Sequence, residues 1–132
     1  MMSKVNPVLY RFVRFCLNRA YASIDFKKLD ADKRYAIDVF VDSIKNSEDS
    51  WKSVDDLISF IKNELPNLYR TALTAVPKDI LDKLIDSVFS NCLELDEVNT
   101  DKKLSSTMKE VHDMLKKMES TGASGASEFP SY

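Results

Sequence analysis

Few residues in this chain are typed and spaced for chemistry. Arg11, Arg14 and Asn18 recur at spacings of three and four inside the stretch Leu9 to Tyr21, which interleaves arginines with aromatic rings and has no acid before Asp25. That spacing puts them on one helical face, where two guanidinium groups could hold a phosphate while Tyr10 and Tyr21 stack bases. The formal net charge of −2 leaves such a site a small electrostatic footprint on a nucleic acid. The same acid-free, amphipathic segment also fits an organellar presequence, or a helix lying on a membrane surface. The fourth reading is burial within the fold, with the arginines answering acids of their own domain.

The catalytic inventory is thin. His112 is the only histidine, which removes histidine-rich metal sites and two-histidine mechanisms within one chain. Its place beside an apolar seam predicts a residue at the solvent edge of a helix. Asp55 with Asp56, and Asp82 with Asp86, could offer oxygens to a hard cation, but acids at helix starts and on solvated faces explain both pairs. Asp30 and Asp32 open like a calcium loop, yet Tyr35 stands where that loop needs glycine. The only glycines, Gly122 and Gly125, are confined to the small, polar tail, so no phosphate-cradling loop is expected, and no serine sits in a nucleophile elbow. Cys16 and Cys92 lack the paired spacing of zinc or redox sites and fall within apolar helical patterns, so free buried thiols are expected. No catalytic residue, metal or cofactor is expected, and the chain reads as non-enzymatic.

The elements that must position these residues are helices. A chain of 132 residues, 44% hydrophobic and 30% charged, has the composition of one ordinary globular domain, and two glycines are too few for many tight turns. The fold class expected is all-α: a compact bundle of about five helices over residues 1–119. Residues 120–132 have a linker composition and read as a flexible tail, native or a remnant of expression.

The first helix should run from Pro7 to about Ser23, with Val5, Val8, Leu9, Phe12, Val13, Phe15, Cys16, Leu17 and Ala20 filling an apolar arc of roughly 200°. Asp30 can cap a second helix to about Lys45, built on Ile37, Phe40, Val41 and Ile44. Its run Ala36 to Asp42 is β-branched and partly alternating, so a strand competes there. Ser53 and Asp56 resemble a capping box for a third helix burying Val54, Leu57, Ile58, Ile61 and Leu65, which Pro66 should end or kink. Residues 67–75 can form a short segment with Leu68, Ala72 and Leu73 inward. Pro77 suits the first turn of a helix through Cys92, a candidate for the centre of the bundle. Leu95 to Asp101 reads as a charged connection, with Thr100 capping the last helix.

That last helix changes pattern. Leu104, Met108, Val111, Leu115 and Met118 repeat at four, three, four and three, a narrow heptad seam. Such a seam docks on its own bundle or pairs with another chain, and its narrowness favours considering the second. The function expected is a helical interaction module, adaptor, regulatory or assembly protein, that uses this seam to bind a protein partner or itself. Nucleic-acid or phosphate binding through Arg11, Arg14 and Asn18 is the alternative. No apolar run spans a membrane, and Arg11 and Arg14 interrupt what would be the core of a secretory signal, so an intracellular, cytoplasmic location is expected, with organellar import left open.

Overall fold

The computed structural model describes residues 7–119, the side chains of Pro7 and Tyr10 excepted. The expectations for Val5, for the ring of Tyr10 and for the tail 120–132 lie outside the described residues. Six helices and no strand make up the described chain, so the fold is all-α.

Helix α1 is continuous from Pro7–Arg11 through a π-helical stretch, Phe12–Leu17, to Asn18–Ala22. Helix α2 spans Ala31–Asn46 and α3 runs Val54–Ser59, Phe60–Glu64, Leu65–Ala72. Helix α4 is Lys78–Leu93, α5 is the single turn Asp96–Asn99, and α6 is Lys102–Lys117, with Met118 and Glu119 continuing its last turn. The competition between strand and helix in Ala36 to Asp42 resolves as helix, because Ile37, Phe40, Val41 and Ile44 all reach the core on one stripe.

The termini follow local chemistry. The Asp30 carboxylate accepts from the Lys33 N–H at 3.0 Å, and Ser53 with Asp56 completes a reciprocal capping box. Asp101, not Thr100, caps α6, accepting from the Leu104 N–H at 3.0 Å. A carboxylate is the stronger acceptor at a helix N-terminus, and the Thr100 hydroxyl is committed to the Asp96 carbonyl at the end of α5.

Pro66 neither ends nor divides α3, and the two segments expected around it are one helix. The π-helical turn just before it carries the chain through: Leu65 donates its N–H to the Phe60 carbonyl five residues back. Widening the turn there relieves the clash that a proline ring makes with the carbonyl four residues earlier. The π-helical stretch of α1 has a different accommodation, since its Cys16 carbonyl accepts from the buried Asn91 side chain of α4 at 3.3 Å.

Helix α4 lies at the centre, in contact with α1, α5 and α6. Trp51, in the connection before α3, wedges between the two π-helical stretches, its ring 5.7 Å from Phe12 and 5.1 Å from Phe60. Its indole N–H is buried with no hydrogen-bond partner among the described residues. Among those residues, no helix is long and apolar enough to cross a membrane.

Candidate functional site

The seam of α6 is not an open surface. Leu104, Met108, Val111 and Leu115 are buried and Met118 packs half-buried against the same core, with α3 and α4 as the neighbouring helices. Of the two roles open to it, docking on its own bundle is the one the fold uses, and the seam residues are not free to meet a partner. Its apparent narrowness has a physical source. Thr107 and Glu119 are buried beside the stripe, so the packed face is wider than its apolar residues alone indicate.

Along the margin of that face runs a network of ionisable groups. Asp82 and Asp86 stand one turn apart on α4, opposite His112 and Lys116, one turn apart on α6. The Lys116 ammonium bonds to Asp82 and lies 3.3 Å from both oxygens of Asp86, while His112 Nε2 is 2.7 Å from Asp86 and its ring stacks on Phe89. Hydrogen bonding to Asp82 holds the Lys116 ammonium above its usual range, against the effect of burial and with help from Asp86. At the inner end, the Tyr69 hydroxyl donates to the buried Glu119 carboxyl. Burial first, then Glu119, pushes the Tyr69 phenol far up, so it stays protonated. The sequence reads Asp82 and Asp86 as helix-face charge and puts His112 at the solvent edge. The members of this cluster come from residues 69 to 119, so no local spacing could have assembled it. Among the described residues no group of His, Cys, Asp and Glu is arranged to hold a metal ion.

The basic helix answers its own domain. Arg11 pairs with Glu97 at 3.2 Å and Arg14 with Glu48 at 2.9 Å, each arginine side chain about half exposed at 49%. Asn18 sits half-buried a turn further on, and the Arg19 guanidinium covers the Phe15 ring at 5.1 Å. A phosphate at Arg11 and Arg14 would have to displace carboxylates already seated there. Cys16 and Cys92 are free and buried, as expected. Burial, reinforced by the hydrogen bond with Cys16, pushes the Cys92 thiol well up and makes it a poor nucleophile.

The surface that does stand open lies elsewhere, between α2 and the C-terminal half of α3. A groove of about 410 Å³ is walled on one side by Tyr35, Ala36, Val39 and Phe40, and on the other by Leu68, Ala72 and Ala75. Small residues make the space: the three alanines leave the room that larger side chains would fill. Tyr35 is 71% exposed and Val39 45% exposed, and they are two of the three large hydrophobic side chains in that state among the described residues, Met114 being the third. Ser43, Thr71 and Thr74 give the rim polar groups, and Asp32 is the one charged residue of the lining. Sequence reasoning passed over Tyr35 and Val39, although both fall outside the stripe of Ile37, Phe40, Val41 and Ile44, and that displacement was the available signal.

Comparison with protein-family models, with curated proteins and with solved structures gives no match.

Proposed function

We propose that this chain is a non-enzymatic helical interaction module, and that it docks an amphipathic helical segment of a protein partner in the groove between α2 and α3. One observation carries the reading: Tyr35 and Val39 lie exposed over a single apolar groove. Contiguous exposed apolar surface rimmed by polar groups is costly in water and is typical of interaction sites. Two helices flanking a trough suit a third helix, whose i, i+3, i+4 and i+7 side chains can reach Phe40, Leu68 and Ala72 on its floor. Charge selects the kind of helix. The groove lining carries one acid, Asp32, and no base, so a partner segment with lysine or arginine flanking its apolar face is the complement.

The test is a display selection of 20-residue helical peptides of randomised apolar and charged pattern against the full chain, repeated against Val39→Glu. The reading expects enriched peptides with apolar residues at helical spacing and a basic flank, bound by the wild type and not by the variant. No enrichment, or peptides that bind Val39→Glu equally well, would overturn it.

A further inference from the structure

A second depression, of about 250 Å³, opens between the α1–α2 connection and the first half of α4, and it shares no residue with the groove between α2 and α3. Its floor is apolar: Leu84 is buried, and Ile24 and Ile80 lie half-buried against the core. Each wall carries one acid and one base, all four of them exposed. On the connection these are Asp25 and Lys28, and on α4 they are Asp79 and Lys83. The connection is held in shape by its own bonds. The Ser23 hydroxyl donates to the Ala20 carbonyl at 2.7 Å, and the Asp25 carboxylate accepts from the Lys27 N–H at 3.2 Å, with the Lys28 ammonium 4.0 Å away. The α4 wall is uncommitted. Asp79 and Lys83 stand at a spacing that commonly pairs on a helix, yet neither side chain has a hydrogen-bond or ion-pair partner among the described residues.

We propose that this depression binds a free α-amino acid with an aliphatic side chain. Charge selects the class. The two lysines and two aspartates of the lining sum to zero, so a simple anion or a simple cation meets as much repulsion as attraction. A zwitterion can set each of its ends against the opposite charge. Its carboxylate accepts from Lys28 and Lys83, which stand on opposite walls and have donors only. Its ammonium donates to Asp79, whose oxygens are uncommitted, while Asp25 already accepts from the backbone and contributes charge.

Size and floor select the side chain. The space equals that of about eight waters at about 30 Å³ each, which suits a molecule the size of leucine. A branched aliphatic side chain covers Ile24, Ile80 and Leu84, the apolar part of the site. Because all four charged groups are exposed, each polar contact is made in a high dielectric, and the dissociation constant should be on the order of 1 mM. A site of that strength follows a pool of free ligand instead of retaining a cofactor.

The experiment follows the backbone amide NMR signals of the full chain during titration with L-leucine. Shifts should saturate and should be confined to residues 23–28 and 78–84. N-acetyl-leucine lacks the ammonium, leucinamide lacks the carboxylate and glycine lacks the side chain, and each should bind at least about tenfold more weakly. Asp79→Asn and Lys83→Gln should each weaken leucine binding about fivefold and keep the thermal midpoint of the wild type. Lys103→Gln, whose partner is Asp55, should leave leucine binding unchanged. The proposal is overturned by the absence of saturable shifts at those residues up to about 50 mM leucine. Equal binding of N-acetyl-leucine would make this an anion site and equal binding of leucinamide a cation site, and either result overturns it too. So does wild-type affinity in both Asp79→Asn and Lys83→Gln.

Discussion

Helices α2 and α6 have the same length and both contribute four large apolar residues to the core, but they treat their remaining apolar residues differently. On α6 the stripe Leu104, Met108, Val111 and Leu115 is closed over by α3 and α4, and buried or half-buried polar groups extend the packed face. On α2 the stripe Ile37, Phe40, Val41 and Ile44 is equally buried, yet Tyr35 and Val39 stand outside it in water. A narrow seam thus marks a helix whose packing is completed by polar neighbours. Two exposed apolar residues off the stripe and over one groove mark the face of α2 still to be covered, whereas on α6 Met114 stands exposed alone. The alternation that made residues 36–42 resemble a strand has the same origin, since Val39 lies between Ile37 and Val41 in sequence and on the opposite side of the helix.

The comparison breaks most directly at the seam. Leu115→Glu, which puts an unpaired carboxylate into the closed face, should destabilise the domain by more than about 4 kcal/mol and abolish cooperative thermal unfolding followed by circular dichroism. A variant that melted like the wild type would return the seam to the surface. Tyr69→Phe tests the polar margin of the same face: it leaves the Glu119 carboxyl without its donor and should cost about 1–3 kcal/mol in urea denaturation at mild acid pH. An unchanged midpoint would mean that the margin is not part of the packing.

Smaller effects belong to surfaces that water already reaches. Arg14→Glu removes a half-exposed ion pair and should change stability by about 1 kcal/mol or less, with the loss shrinking as salt is added. A larger, salt-independent loss would assign Arg14 a buried role. Val39→Glu should be the mildest of all, within about 0.5 kcal/mol of the wild type by the same denaturation, because the side chain it replaces is already wet. Substantial unfolding by that variant would show that the open face of α2 is core after all, and the contrast with α6 would vanish.

Two sites separate what was legible from what was not. The capping box at Ser53 and Asp56 and the cap at Asp30 were readable because each is made within four residues. The basic helix was readable up to a choice: winding it separates Arg11 and Arg14 from Phe12 and Cys16, but Glu97 and Glu48, which decide what the arginines answer, are far away in sequence. Pro66 was misjudged because its expected break assumed an α-helical turn before it, and the π-helical turn at Phe60–Glu64 removes the clash. The network of Tyr69, Asp82, Lys116 and Glu119 left no sequence signal, as each member taken alone is an ordinary helical residue.

By itself the sequence determined the helical class, the stripes that fill the core and most of the helix starts. These depend on periodicity and on contacts within a turn, which a linear chain carries directly. Tertiary structure alone decided which apolar faces are covered, which charges meet and where a carboxyl is buried under a tyrosine hydroxyl. Those are properties of what lies opposite, and a helix does not encode its neighbour in its own period.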